Sequence, residues 1–325
     1  MSVAQSQNSI RQSMSTAKAI ETDPFIHRYG DWRRSVSASA IARHWTLSGL
    51  AGLYRATGQL SALLSKPRVQ FLYMHWVFED QKTALRNLLD SLSREHRFIS
   101  YSQAVNKILT GEIDAPYVSL SFDDGLKSCF DVSSILREFG ISACYFICPS
   151  IIGDGNFDNI RRFCAERIHM PPVQIMSWTD VTALLDQGHE VGSHTLNHSN
   201  LAAVSSNQVH DEICGSFDAI RQKIGAPKHF SWPFGRFFHF TREAARTVFE
   251  AGYESCASAE RGCHEAAKID RSSLCLRRDH VKVTWPQQHV RYFLAKNAQR
   301  MTTAGNRWPE ALQPALLSQQ EQKRV

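Results

Sequence analysis

The sequence lacks the features of a disulfide scaffold, of a zinc ribbon and of a secreted protein. Its eight cysteines include no Cys-x-x-Cys pair, and its first 20 residues contain no apolar run like that of a signal peptide. Thiols stay reduced in the cytoplasm, where single cysteines are usually small buried apolar residues. We therefore expect a cytoplasmic protein with free cysteines.

Long hydrophobic runs are lacking too. The longest nearly uncharged stretch, residues 44–54, is much shorter than the about 20 apolar residues that a membrane span requires. This excludes a membrane span but not contact with a membrane surface. The 325 residues, 43% hydrophobic and 21% charged, can bury a large core, which excludes a disordered or fibrous chain.

The middle of the chain has no surplus of positive charge, although the whole chain has a net charge of +6. Residues 1–66 have 8 basic and 3 acidic side chains, residues 67–297 have 25 and 26, and residues 298–325 have 4 and 2. Nonspecific nucleic-acid binding requires clustered Lys and Arg, so we expect no nucleic-acid partner.

The same three segments divide the chain by pattern. Residues 1–66 form a leader, of which the first 35 or so are polar, of low complexity and expected to be poorly ordered. Residues 41–66 have the apolar spacing of a helix, with basic residues and glycines between. This helix either packs on the following domain or makes peripheral contact with an anionic membrane. Residues 298–325 form a polar tail.

Between residues 67 and 297, strand patterns alternate with helix patterns, which is typical of a barrel or sheet of β/α units. We predict a distorted (β/α) barrel of about seven strands with a helical N-terminal extension. The predicted strands cover residues 69–77, 117–122, 142–152, 189–193, 229–232, 253–259 and 274–283. The predicted helices cover residues 80–94, 126–139, 177–187, 206–224 and 241–251, with a last helix from residue 286. In such folds the chemistry lies at the carboxyl ends of the strands.

Two adjacent carboxylates, Asp123 and Asp124, follow one of these predicted strands. Like charges so close are unfavourable unless a cation binds one of them. Adjacent residues of an extended segment point to opposite sides, so the two carboxylates can have different roles. The alternative is a solvated turn, because Asp-Gly is a common turn dipeptide.

His194 and His198 are the only histidines in this sequence that are four residues apart. This spacing puts both imidazoles on one side of a helix or a strand, as two ligands of one metal require. Two imidazoles and one carboxylate leave coordination positions open, as in a catalytic zinc site.

The segments Ser-Phe-Asp-Asp-Gly at 121–125 and His-Thr-Leu-Asn-His at 194–198 together resemble the polysaccharide deacetylases, the family 4 carbohydrate esterases with a NodB homology domain. The similarity runs over residues 69–283. It implies a distorted (β/α) barrel in which Asp124, His194 and His198 hold a divalent metal, usually zinc, with Co²⁺, Ni²⁺ or Mn²⁺ as alternatives. It also implies that Asp123 is the general base.

A third segment, Phe-Ser-Trp-Pro-Phe-Gly at 230–235, resembles another motif of this family. Many members have an arginine where this chain has Ser231, so the usual partner of the base is missing at that position. The resemblance implies that Phe234 offers its backbone N–H to the oxyanion and that Trp232 contacts the substrate. The alternative is a rigid turn in which Trp232 is a core residue. Arg278 is the candidate to replace the missing arginine by pairing with Asp123, or else forms an ordinary surface ion pair.

The general acid has two candidates. The Tyr-Met-His segment at 73–75 resembles an element of the branch that makes partly deacetylated exopolysaccharides, where the acid histidine precedes the aspartates, as in a circularly permuted barrel. This points to His75. The family's late Leu-x-His motif is irregular here, where His280 is the nearest match. Either histidine can also be a core residue.

The resemblance implies a metal-dependent hydrolase that removes N-acetyl or similar N-acyl groups from an amino sugar or a glycan precursor. A lipid-linked or other intracellular precursor suits the expected location. One alternative is a deformylase or another amidohydrolase acting on a lipid-linked sugar or a cyclic amide. The other is a catalytically degenerate barrel that only binds glycans.

Overall fold

The computed structural model describes residues 23–32, 38–301 and 303–314. Nine strands of the described residues form one sheet, and neighbouring strands in it pair in parallel. The strands are β1 (Arg68–Met74), β2 (Arg97–Phe98), β3 (Pro116–Phe122), β4 (Ala143–Ile147), β5 (Glu190–Ser193), β6 (His229–Ser231), β7 (Ser255–Ala257), β8 (Cys275–Leu276) and β9 (Arg278–His280).

The sheet closes almost completely into a barrel. Its strand order is β8-β7-β6-β5-β4-β3-β1-β9, and β2 pairs with β3 outside this path. β8 and β9 lie at opposite ends of the path, yet only Arg277 separates them in sequence. The two ends of the sheet therefore meet at this residue, and the predicted barrel is confirmed.

Helices surround the barrel. They are α1 (Tyr29–Trp32), α2 (Ala38–Ala56), α3 (Gln59–Leu64), α4 (Lys82–Ser93), α5 (Tyr101–Thr110), α6 (Lys127–Phe130), α7 (Ser133–Glu138), α8 (Phe157–Glu166), α9 (Trp178–Asp186), α10 (Ser206–Ile224), α11 (Arg242–Glu250) and α12 (Gln287–Gln299). Local sequence explains several ends: Ser177 and Asp180 cap α9 reciprocally, and Gly111 ends α5 in the left-handed conformation.

Some predicted elements are divided in the structure. The single strand expected at 274–283 is two strands that pair with β7 and with β1, at the two ends of the sheet. The helix expected at 126–139 is α6 and α7, and the helix expected at 41–66 is α2 and α3 with left-handed Gly58 between them. The sequence patterns did not indicate α5 or α8.

Both terminal segments contact the barrel where they are described. The expectation of poor order is wrong for residues 23–32, because the backbone N–H groups of Tyr29 and Gly30 donate to the carboxylate of Asp80 and Phe25 packs with the barrel core. Residues 1–22 and 33–37 lie outside the described residues. In the C-terminal segment, the side chains of Trp308 and Leu312 are buried against the barrel. The three-part division of the chain stays a prediction.

α2 and α3 pack on α12. Ala51, Leu60, Leu63 and Leu64 are buried in this contact. No helix within the described ranges is both long enough and apolar enough to cross a bilayer.

Candidate active site

The site lies at the carboxyl ends of the strands. A cavity of about 140 Å³ opens there. Its lining includes Tyr73, His75, Asp123, Asp124, Arg167, Ile168, His169, His194, His198, Trp232, Phe234, Gly235, Ala259 and Arg278. The structure therefore brings together every predicted site residue except His280.

Unusual backbone conformations are concentrated around this cavity. Six non-glycine residues in the described part of the chain have a positive φ, and four of them, Asp124, His169, His198 and Phe234, line the cavity. Thr195, next to His194, is a fifth. This conformation is costly for residues with a Cβ and tends to occur where function requires it.

Asp124, His194 and His198 form a compact and buried cluster. The Nε2 atoms of His194 and His198 lie 3.5 Å and 3.3 Å from Asp124 Oδ1. One potential ligand atom from each of the three residues lies within 4.8 Å of the other two. This arrangement has two nitrogen donors and one oxygen donor, as in many catalytic zinc sites.

The hydrogen bonds of these three residues fit a bound cation. His194 Nδ1 lies 2.7 Å from the carbonyl oxygen of Ser231, which fixes the ring with Nε2 towards Asp124. Asp124 Oδ1 is buried and has no hydrogen-bond partner among the described residues. A buried carboxylate oxygen without a partner is costly, and a metal ion would satisfy it. The cluster therefore fits a divalent metal.

Asp123 is held by a buried arginine. The Arg278 guanidinium donates to Asp123 Oδ1 at 2.8 Å and to Oδ2 at 2.9 Å. It also donates to the hydroxyls of Ser121 and Ser231 and to the carbonyl oxygen of Ser258. Ser231, which stands where many family members have arginine, thus contacts the arginine that comes from β9.

The charges of these groups follow from burial and neighbours. Burial alone would raise the pKa of Asp123, but the positive charge of Arg278 outweighs it and the pKa is lowered. Burial lowers the pKa of His194 to about 4. At neutral pH Asp123 is therefore a carboxylate, and His194 is a neutral imidazole with a lone pair available for a metal.

His75 and His280 are in contact, but only His75 is among the residues that line the cavity. His75 follows β1, and its Nδ1 lies 3.3 Å from His280 Nε2. His280 ends β9, beside Tyr73 of β1. Burial, and next the electrostatic effect of the neighbouring His75, lower the pKa of His280 to about 3. His280 is therefore a neutral hydrogen-bond partner behind His75.

The two predicted substrate residues differ in environment. Trp232 is fully buried, its ring is stacked 4.2 Å from that of Phe240, and its Nε1 donates to the carbonyl oxygen of Arg236. Its indole is thus a core group that only reaches the edge of the cavity. Phe234 is 41% exposed and lies 5.2 Å from the His198 ring, so it is available to a ligand.

The residues Arg167, Ile168 and His169 line the cavity but were not predicted. They follow α8, which the sequence patterns also missed. No motif marks this segment, and the positive φ of His169 is visible only in the structure. Sequence reasoning alone offered no signal for them.

The comparison with protein families agrees with this geometry. The model of the polysaccharide deacetylase family matches residues 110–255, which include Asp123, Asp124, His194 and His198. Residues 110–255 are therefore similar to a polysaccharide deacetylase domain.

Curated relatives match a similar part of the chain. A chitooligosaccharide deacetylase of Bradyrhizobium sp. (strain ANU 289) is 29% identical over 139 residues, which are 42% of this chain and 52% of the relative. A peptidoglycan-N-acetylglucosamine deacetylase of Bacillus cereus is 26% identical over 129 residues, 39% of each protein. The chain therefore spans about half or less of the length of these two relatives.

Solved structures share the barrel fold. IcaB from Ammonifex degensii has a TM-score of 0.56 at 17% identity, over 72% of this chain and 98% of that one. A de-N-acetylase from Aggregatibacter actinomycetemcomitans has a TM-score of 0.57 at 19% identity, over 70% and 99%. At these identities the likeness establishes the barrel fold.

Proposed function

We propose that the protein is a metal-dependent hydrolase that removes N-acetyl or similar N-acyl groups from an amino sugar or a glycan precursor. The observation that carries this proposal is the position of Asp123. It lies in one cavity with the cluster of Asp124, His194 and His198, and both of its oxygens accept hydrogen bonds from Arg278. The family match at residues 110–255 and the names of the relatives support the same reaction.

Asp124, His194 and His198 would hold the metal, and their two nitrogens and one oxygen favour Zn²⁺. When bound, such a cation supplies Lewis acidity, which polarises an acyl carbonyl and lowers the pKa of water at the site to roughly 7. Co²⁺, Ni²⁺ and Mn²⁺ are alternative ions for the same ligands.

Asp123 acts as the general base. It takes a proton from the attacking water, whose oxygen forms a bond with the acyl carbon. Each carboxylate oxygen has a second lone-pair site, so the two bonds from Arg278 leave room for this proton. Arg278 also keeps the carboxylate ionised in a buried place, because it lowers the pKa of Asp123.

His75 acts as the general acid. It lines the cavity, and a contact from its Nδ1 to neutral His280 leaves Nε2 free to carry a proton. The backbone N–H of Phe234 stabilises the oxyanion. When the C–N bond breaks, the proton from His75 goes to the amine, so the products are a carboxylic acid and a free amino sugar.

Variants of Asp123 and His194 test this proposal. With N-acetylated chitooligosaccharide as the substrate, Asp123→Asn should lower acetate release roughly 10²- to 10⁴-fold while stoichiometric metal remains. His194→Ala should lose both the metal and the activity. His210→Ala, an exposed histidine on α10, is the matched control and should change neither.

Full deacetylase activity in Asp123→Asn would overturn the assignment of the base. A purified protein without stoichiometric divalent metal, which also stays inactive when Zn²⁺ is added, would instead indicate a barrel that only binds glycans. Formylated and acetylated sugars, and a cyclic amide, offered to the same preparation would separate deacetylation from the related amidohydrolase reactions.

The substrate is proposed to be an intracellular precursor, such as a nucleotide-linked or lipid-linked N-acylated sugar. All eight cysteines lie in the described residues and are free, as is usual in a reducing compartment. This supports a cytoplasmic location. Acetate release from lipid-linked and free amino sugars, compared at equal concentration, tests which class the enzyme prefers.

Peripheral membrane contact through residues 41–66 completes the proposal. Trp45 and Leu53 of α2 are 70% and 58% exposed, and Arg43, Arg55 and Lys66 are exposed near them. Aromatic and apolar side chains next to cations suit an anionic bilayer surface. The full chain should float with vesicles of phosphatidylcholine and phosphatidylglycerol, whereas Trp45→Ser/Leu53→Ser should not. Equal flotation of both proteins would remove this contact.

A further inference from the structure

Two large cavities lie side by side between α2 and α12, away from the deacetylase site. One has a volume of about 760 Å³ and the other about 540 Å³. Leu47 of α2 and Phe293 of α12 line both, so the two cavities share a wall. We call this pair of cavities the α2–α12 groove. No described residue lines both the groove and the catalytic cavity.

The larger cavity forms an apolar end of the groove. Half of its lining residues form an apolar wall, namely Ile41, Leu47, Trp285, Pro286 and Phe293. The other half are polar or basic, namely Ser39, Arg43, His44, Thr284 and His289. Ile41 is half exposed, so this wall continues into the exposed apolar face of α2. Its size and lining suit an aliphatic chain.

The smaller cavity forms a basic end. Arg261, Arg277, Lys296 and Arg300 line it, and no Asp or Glu is among its described lining residues. Of the four cations, only Arg261 lies within 4 Å of a carboxylate among the described residues, at 3.6 Å from Asp279. Three cations in one wall therefore have no neutralising partner, which favours an anionic ligand.

The shared wall connects the two ends. The Arg261 guanidinium lies 4.6 Å from the centre of the Phe293 ring, and Phe293 also faces the apolar cavity. A ligand in this groove would meet a planar cation and an apolar, partly aromatic wall at adjacent positions. A phospholipid has an anionic phosphate next to its hydrocarbon chains, so its groups match this arrangement.

We infer that the α2–α12 groove binds one anionic phospholipid from a membrane, with its phosphate at Arg261, Lys296 and Arg300 and an acyl chain at Leu47, Trp285 and Phe293. The occupant is a lipid rather than a free phosphate, because half of the groove is apolar and continuous with the exposed face of α2. This inference deepens the membrane contact proposed above and does not depend on the deacetylase reaction.

Titration calorimetry of the full chain tests the groove with a soluble lipid. Dioctanoyl phosphatidylglycerol, kept below its critical micelle concentration, should bind one molecule per chain. Dioctanoyl phosphatidylcholine and inorganic phosphate should each bind more weakly. Arg261→Ala/Arg300→Ala should weaken phosphatidylglycerol binding roughly 25-fold, at roughly five-fold per cation. Arg161→Ala/Arg221→Ala removes two exposed arginines elsewhere and should bind like the original protein.

A second variant keeps the test decisive if the double arginine variant does not fold. Leu47→Trp keeps all four cations and fills the shared wall, so it should block the lipid while inorganic phosphate still binds. Thermal unfolding shows which variants are folded.

Several outcomes would overturn the inference. Equal affinity for the two dioctanoyl lipids would remove the anion requirement, and equal affinity for phosphate and phosphatidylglycerol would make the site a phosphate site. A concentration-dependent dimer that masks the groove would make a second copy of the chain its occupant. Vesicle flotation without one-to-one binding of the soluble lipid would refute the groove and leave the membrane contact standing.

Discussion

The catalytic cavity and the α2–α12 groove differ in almost every physical property. The catalytic cavity is small, at about 140 Å³, and is built from buried charges that contact each other. The larger cavity of the groove has about 760 Å³, and half of its lining residues are apolar. Size therefore does not distinguish the candidate active site of this protein. Buried ionisable groups and costly backbone conformations distinguish it.

The difference also shows where stability and function are in conflict. Around the catalytic cavity, positive φ values and a carboxylate oxygen without a partner are retained at a cost in folding free energy. In the groove the cost arises at the surface instead. Apolar side chains are exposed to water, and several cations have no carboxylate partner among the described residues. On the two proposals, a bound metal would offset the first cost and a bound lipid the second.

The largest effect should come from the acid. His75→Ala should lower kcat for acetate release roughly 10²- to 10⁴-fold, because the departing amine loses its proton donor. His280→Ala should cause a smaller loss, since His280 contacts His75 and does not line the cavity. Steady-state kinetics of both variants tests this. If His280→Ala loses more activity than His75→Ala, the roles assigned to the two histidines must be exchanged.

A comparison of two arginines, one in each region, comes next. Arg278→Met should lower the free energy of unfolding by about 3–5 kcal/mol, because it leaves the Asp123 carboxylate buried and unpaired. Arg261→Met in the groove should cost no more than about 1 kcal/mol, because Arg261 is over a third exposed. Urea unfolding measures both at pH 6. Similar losses would show that the two regions are not energetically distinct.

The contribution of Asp279 to the pH dependence of stability should be a smaller effect than the loss of Arg278. Its sign should be opposite to that of most buried carboxylates. Burial raises its pKa to about 7, so the folded protein keeps a proton that the unfolded chain has lost. Stability should therefore fall as pH rises from about 4 to about 7, by at most about 4 kcal/mol, and level off above. Asp279→Asn should lack this contribution. Parallel curves of unfolding free energy against pH for the two proteins would contradict the prediction.

The smallest effect concerns Phe234. Its φ of 62° is unfavourable for phenylalanine and costs glycine nothing, so Phe234→Gly should be more stable than Phe234→Ala by about 1 kcal/mol. Both variants keep the backbone N–H. Their kcat values should therefore agree, and any shared loss should appear in KM, because the exposed ring is the part that was removed. A large difference in kcat would argue against the N–H as the oxyanion donor.

Much of the fold and of the metal cluster was predictable because it depends on local signals. Alternating strand and helix patterns indicated the barrel, and two short segments contained Asp123, Asp124, His194 and His198. The sequence left open whether Arg278 pairs with Asp123 or forms an ordinary surface ion pair, because Arg278 lies 155 residues further along the chain. Its contacts with the buried hydroxyls of Ser121 and Ser231 follow from tertiary packing, which sequence spacing does not encode.

The other misses have the same cause. Arg167 and His169 reach the cavity through a loop without a motif, and the groove exists only because α2 returns to pack on α12. Trp232 was correctly open to two interpretations. Its ring stacks with Phe240, which is near in sequence, and with Trp308, which lies far along the chain in the segment expected to be a polar tail.

Arg277, the single residue between β8 and β9, connects closure of the barrel with completion of the candidate active site. During synthesis, every candidate metal ligand and the base emerge before Arg278, and β9 then joins β1 to complete the ring. The same strand brings Arg278 to Asp123 and His280 to His75. A nascent chain that stops before β9 would have the metal ligands without a supported base or acid. On the proposed mechanism, closure of the barrel would therefore be the step that completes the candidate active site.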